Sequence, residues 1–305
     1  MRFVTYESAG EPAIGLLAAS EQHIIPLQAS EHRYYGEVLL PPTMLALIEQ
    51  GEPALERVKE IASKVAKDTD TSLLLPLAAV RLLAPIPRPL KNIFCIGKNY
   101  VEHAMEFDQT ADPNIAVPKY PVIFTKAPTT VIGPGAGIKS HRQITSALDY
   151  EVELAVIIGK QGSYISPETA MDYVFGYTIL NDITARDLQK QHLQWFRGKS
   201  LDTSAPMGPY LVHKSAVPNP GNLTVALKVN GEIRQHSTTA DFIFDIPTLI
   251  STISAGITLE AGDIISTGTP AGVGAARKPP QFLKPGDTLE LTISGLGTLT
   301  NTIID

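Results

Sequence analysis

The hydrophobic rhythm of the chain changes several times, and each change marks a new kind of element. Arg2-Phe3-Val4-Thr5-Tyr6, Ala13-Ile14-Gly15-Leu16-Leu17 and His23-Ile24-Ile25-Pro26-Leu27 are short apolar runs separated by Gly, Pro, Ser and Glu. They predict three strands joined by turns. Residues 43–50 read as a short helix stopped by Gly51, and a longer helix begins near Pro53. Leu55, Val58, Ile61, Ala62 and Val65 form its apolar stripe, while Glu56, Lys59, Glu60 and Lys64 lie mostly off it. Pro85, Pro87 and Pro89 then alternate, which forbids helix and favours extended chain. That stretch divides the chain into a small N-terminal domain of strands and helices, residues 1–85, and a larger domain, residues 86–305.

Beyond the prolines, strand patterns dominate. Candidates are 92–96, 122–124, 151–158, 174–180, 210–213, 225–229, 263–267 and 288–293. Asn230-Gly231 between two apolar runs is a two-residue hairpin signal. Helical pieces fall at 99–107, 167–172, 185–194 and 246–255, with Asn99 placed to cap the first. Many strands and few helices predict a mainly β protein with some α, barrel-like or sandwich-like.

Composition narrows the class. With 305 residues, 44% of them hydrophobic, the chain is long enough to bury a large core. A formal net charge of −6 without a run of like charges argues against a nucleic-acid or anionic-membrane footprint. Cys95 is the single cysteine, which excludes a disulfide within the chain. No apolar run reaches the roughly 18–20 residues of a membrane span, and the first residues lack a signal-peptide core. The expectation is a soluble, cytoplasmic protein.

The chemistry centres on Asp149-Tyr150-Glu151-Val152-Glu153-Leu154-Ala155-Val156-Ile157-Ile158. Side chains two apart on a strand share a face, so Glu151 and Glu153 stand about 7 Å apart beside a buried run. They repel each other and call for a positive group between them. A hard divalent cation, Mg²⁺ or Mn²⁺, suits oxygen ligands of this kind; two solvated glutamates on an edge strand are the alternative. Asp182 ends the apolar strand 174–180 and supplies a third carboxylate, or else caps a helix near Thr184. Arg186 and Gln189 follow three residues apart, spaced to share a helix face and placed to orient a carboxylate or bind an anion. Lys199, in Arg197-Gly198-Lys199-Ser200, is not part of a P-loop because the upstream glycine is missing. Near three carboxylates and a cation it would balance charge and hold a substrate carboxylate. His103 and Glu106 are helix neighbours, in which a carboxylate fixes the imidazole tautomer for general-base work; a plain surface pair is the alternative. Thr267-Gly268-Thr269-Pro270-Ala271-Gly272-Val273-Gly274 lacks the helix and lysine of a nucleotide loop and suits a small anion.

These motifs together resemble the fumarylacetoacetate hydrolase superfamily. Ile96-Gly97-Lys98-Asn99-Tyr100 with His103 and Glu106, the Asp149–Leu154 run, Gly176 to Asp187, Gly198-Lys199-Ser200, Val229-Asn230-Gly231-Glu232 and Gly262 to Pro270 carry the resemblance. The whole chain is similar to bacterial two-domain members, among them acylpyruvate hydrolases, oxaloacetate decarboxylases and isomerases of aromatic catabolism. The resemblance implies a mixed β-sandwich roll in a homodimer, with Mg²⁺ or Mn²⁺ on Glu151, Glu153 and Asp182. It implies substrate contacts from Arg186, Gln189, Lys199 and Thr269, and a catalytic dyad of His103 and Glu106 on a lid. Nothing is carried over between residues 107 and 119, where members differ most. The expected substrate is a small anionic keto acid. Hydrolysis of a C–C bond leads, with decarboxylation, isomerisation and a non-catalytic metal-binding role as alternatives.

Overall fold

The computed structural model describes residues 1–106 and 116–305. The expected runs fold as strands with ends shifted by a residue or two, except 210–213, whose strand starts five residues earlier at Ala205. Arg2–Ser8, Glu11–Leu17 and His23–Pro26 form the N-terminal antiparallel set. Met44–Gln50 and Glu52–Lys67 are the two expected helices, hinged at Gly51, whose φ of +62° a side chain would resist. An unexpected helix, Leu27–Tyr35, lies where the reading ran a strand through Leu27. It is closed by Gly36 in the left-handed conformation, with the Gly36 N–H on the His32 carbonyl.

Among the described residues, two larger sheets and a two-stranded one, Leu148–Asp149 with Thr184–Ala185, make a mixed α/β architecture built mostly of strands. In the large sheet, His23–Pro26, Glu11–Leu17, Arg2–Ser8, Ala205–His213, Val174–Asn181, Val152–Ile158, Ile264–Ser266, Ile93–Gly97 and Val122–Lys126 lie in that hydrogen-bonded order. The first strand thus continues the sheet that carries the acidic motif, with Phe3 opposite Leu211. The smaller sheet runs Glu232–Thr238, Thr224–Val229, Thr288–Ile293, Gly297–Ile304 and Gly137–Lys139. The Asn230-Gly231 hairpin forms as expected, with Val229 opposite Glu232.

Alternation along Val152–Ile158 explains how both faces of the sheet are covered. Val152, Leu154, Val156 and Ile158 pack with Val225, Leu227, Leu289, Leu291 and Leu299 of the smaller sheet. Ala155 and Ile157 face the other way, into a core with Phe3, Leu16, Leu47, Val58 and Ile61. Burying each such large side chain contributes about 1.5–3 kcal/mol. Glu151 and Glu153 have the parity of Ala155 and Ile157, so they open onto that second face where its apolar filling ends. Among the described residues no helix is long and apolar enough to cross a membrane.

Candidate active site

Two neighbouring strand ends set the acidic cluster. Val152 pairs with Asn181, the Asp182 N–H donates to the Glu151 carbonyl at 2.9 Å, and the Glu151 N–H donates to Asn181 Oδ1 at 3.1 Å. This backbone clamp brings one oxygen each of Glu151, Glu153 and Asp182 within 4.8 Å of one another, all buried. Asp182 is no helix cap: the next helix is Arg186–Gln191, with Ala185 at its cap position. Glu153 is held from the strand Ile264–Ser266 and the loop after it. Ser266 Oγ donates to its Oε2 at 2.6 Å and the Gly268 N–H at 2.9 Å.

Cationic side chains crowd the same place. Arg186 Nη2 donates to Glu151 Oε1 at 2.6 Å, Nε to Asp149 Oδ2 at 2.8 Å, and Nη1 to Gln189 Oε1 at 3.2 Å. Lys199 Nζ bridges Glu151 Oε2 at 2.7 Å and Asp182 Oδ2 at 2.6 Å. Its ammonium therefore sits on two carboxylates of the cluster and balances their charge. Gly198 makes this possible. A Cβ there would lie 2.5 Å from the Gln189 backbone nitrogen, so only glycine lets the short helix Phe196–Lys199 touch Arg186–Gln191.

Sequence reasoning missed Lys126, which ends the strand Val122–Lys126 and is fully buried. Its Nζ lies 2.9 Å from Asp182 Oδ1, off the line of a hydrogen bond, and donates to the carbonyls of Ile183 and Lys199. Asp149, quoted in the motif but given no role, fixes Arg186 and also accepts from the Gly274 and Ala275 N–H groups. Gln235 was missed as well. It donates to Thr269 Oγ1 at 2.8 Å, and that hydroxyl donates to the Val152 carbonyl at 3.0 Å.

The electrostatics follow from burial. Burial opposes ionisation of Glu151, but Lys199 and Arg186 outweigh it and hold the carboxyl down at about 2. Among the described residues Glu153 has no ion-pair partner; burial, then Asp182 and Glu151, push it up to about 8. Burial works against the Lys199 ammonium, yet Asp182 and Glu151 raise it on balance. Four buried carboxylates, Asp149, Glu151, Glu153 and Asp182, thus face three buried cations, Lys126, Arg186 and Lys199. The set is one positive charge short, and the shortfall falls on Glu153. Three converging carboxylates fit an oxygen-preferring divalent cation, which would there compete with the Lys199 ammonium for Glu151 and Asp182.

Above this floor, His103 Nδ1 and Glu106 Oε2 stand 2.8 Å apart, and Glu106 Oε1 accepts the Gly272 N–H at 2.6 Å. The second bond ties the helix Val101–Glu106 to the glycine-rich loop. Asn99 does not spend its side chain on a cap. Its amide spans the carbonyls of Phe244 and Thr267, which fixes the turn leading into that helix. The chain between 107 and 119 lies outside the described residues as far as 115. A cavity of about 330 Å³ joins these parts: His103, Glu151, Glu153, Arg186, Gln189, Lys199 and Thr269 line it. Glu106 and Asp182 stand just behind that lining. Ile96, Phe124, Leu193 and Trp195 give it an apolar wall.

A buried acid cluster at the strand ends of such a roll, with a histidine–carboxylate pair over it, defines an enzyme of the fumarylacetoacetate hydrolase family. The chain belongs to that family: residues 92–304 match its description as fumarylacetoacetate (FAA) hydrolase, C-terminal. Over 305 residues it is 50% identical to the oxaloacetate tautomerase YisK of Bacillus subtilis, covering 99% of this chain and 100% of that one. A solved fumarylacetoacetate hydrolase from Exiguobacterium antarcticum superposes with a TM-score of 0.82 at 40% identity, covering 100% and 99% of the two chains. A maleylpyruvate hydrolase from Sphingobium sp. SYK-6, solved with manganese(II) and pyruvate, gives 0.76 at 28% identity, covering 100% and 99%.

Proposed function

We propose that the chain moves a proton at the carbon beside the keto group of a small α-keto diacid, interconverting the keto and enol forms of oxaloacetate, with Mg²⁺ or Mn²⁺ on Glu151, Glu153 and Asp182. The observation that carries this is His103, backed by Glu106, opening onto the same cavity as the acid cluster, in a chain half identical to an oxaloacetate tautomerase. When bound, a divalent cation supplies Lewis-acid polarisation of a carbonyl oxygen. Arg186 and Gln189 orient the carboxylate next to the keto group, and Lys199 lies close enough to stabilise developing negative charge. With Glu106 accepting from Nδ1–H, the Nε2 of His103 is the basic nitrogen and takes the proton from carbon. Thr269, whose hydroxyl is already engaged by Gln235 and Val152, shapes the cavity and offers its remaining lone pair.

Hydrolysis of a C–C bond in an acylpyruvate is the second reading, favoured by the maleylpyruvate hydrolase of the same fold. There His103 takes its proton from water instead of carbon. The two separate on products. Oxaloacetate, acetylpyruvate and maleylpyruvate are each supplied with Mg²⁺ or Mn²⁺, and enol absorbance and pyruvate are followed together. Tautomerisation shows as enzyme-dependent decay of the enol signal without pyruvate, slowed about 10²–10⁴-fold in His103→Ala at unchanged cation affinity. Pyruvate formed in proportion to enzyme replaces this proposal with hydrolysis or, from oxaloacetate, decarboxylation.

A further inference from the structure

Two lysines of the cavity have no part in the chemistry above. Lys98 and Lys190 both line it. Lys98 is half-buried in the turn after Ile93–Gly97, and its φ of +55° is a conformation that residues with side chains seldom adopt. Lys190 follows Gln189 in the helix Arg186–Gln191 and is exposed. Among the described residues neither has an ion-pair partner, whereas Lys126, Arg186 and Lys199 are all committed to buried carboxylates.

Charge and polarity say what these two lysines are for. With Glu153 ionised, as a bound cation would require, the four floor carboxylates and Glu106 bring five negative charges against the three committed cations. A divalent cation closes that gap to zero. A diacid then enters with two negative charges, and Lys98 and Lys190 are the two counter-charges left on the cavity lining. The apolar side of the wall cannot take a second carboxylate: Phe124 packs edge-on against Trp195 with ring centres 5.3 Å apart, beside Ile96 and Leu193. An anion pressed on such a surface loses its hydration and gains no partner.

We infer that Lys98, assisted by Lys190 on the solvent side, receives the far carboxylate of the substrate and so selects α-keto diacids over monoacids of the same length. The inference rests on the α-keto acid reading above and adds to it the residues that set specificity.

The test is a binding comparison with two acids of equal chain length that differ only at the far end, 2-oxoglutarate and 2-oxopentanoate. Calorimetry with the Mn²⁺-loaded protein reads the affinity of each. Wild type favours the diacid by about tenfold or more, as one charge-assisted contact supplies. Lys98→Met lowers that ratio towards one, Lys98→Arg keeps it, and Lys190→Met lowers it less than Lys98→Met. Binding of both acids to wild type without preference overturns the inference and leaves the α-keto acid reading standing, as does a ratio unmoved by Lys98→Met. Binding of neither acid overturns both.

Discussion

Replacing Lys126 by methionine tests the electrostatic account of the floor most directly. The two side chains are similar in length and volume, so packing is largely kept while the charge goes. Lys126 is fully buried, 2.9 Å from Asp182 Oδ1, and also satisfies the carbonyls of Ile183 and Lys199. Removing one partner of a buried pair costs about 3–5 kcal/mol, because the other charge stays behind. For a chain of this length about 2 °C of Tm corresponds to each kcal/mol, so the metal-free variant should melt about 6–10 °C below wild type. The same change widens the charge deficit around Asp182 and Glu153. A divalent cation should therefore stabilise the variant more than it stabilises wild type. Differential scanning calorimetry with EDTA and then with Mn²⁺ reads both effects on one sample. A variant that melts with wild type in EDTA, or that gains less from Mn²⁺ than wild type does, refutes the reasoning.

Two further changes probe separate parts. Glu153→Gln mimics the protonated side chain that a value of about 8 implies at neutral pH, and its carbonyl still accepts from Ser266 and Gly268. The metal-free variant should melt close to wild type yet lose the rise in Tm with Mn²⁺; an undiminished rise would remove Glu153 from the cation site. His213 is pushed down to about 4 by burial, then by the N-terminal amino group and Lys214. Its unfolded value is 6.5, so on acidification the unfolded chain takes up a proton that the folded chain refuses. Stability then falls from about pH 6.5 and the loss is complete near pH 4, about 1–2 kcal/mol after discounting for the part-exposed ring. His213→Gln should flatten urea-midpoint curves over that window, and an unchanged slope would assign the acid sensitivity elsewhere.

Strands with strict alternation were legible because period two survives in the letters. Val152–Ile158 and Thr288–Ile293 fall almost where the pattern puts them. Gly297–Ile304 was missed because Asn301 stands at an inward position, where its amide binds the carbonyls of Gly133 and Ala136. Ala205–His213 was read only from Tyr210, since Pro206, Gly208 and Pro209 speak against a strand. Leu27–Tyr35 hides for another reason: its nine residues carry few apolar side chains, and tertiary contacts rather than periodicity make it a helix. The acid cluster was legible because two of its members are two apart on one strand. Lys126 was not. A lysine ending an edge strand reads as solvated, and only the fold brings the turn after Asn181 over it.

The pairing of Phe3 with Leu211 also governs how the protein is made. The first strand leaves the ribosome early; one neighbour, Leu82–Leu83, is encoded about 80 residues after it, but Ala205–His213 only about 200 residues after it. At roughly 5–20 residues per second that is an interval of about 10–40 s. Through it the Arg2–Phe3 end of the first strand, which Ala205–His213 later covers, leaves backbone donors and acceptors that another nascent chain can capture. Closure is thus a late, long-range event, and crowded synthesis or slowed translation should reduce yield before any weakness shows in the finished molecule.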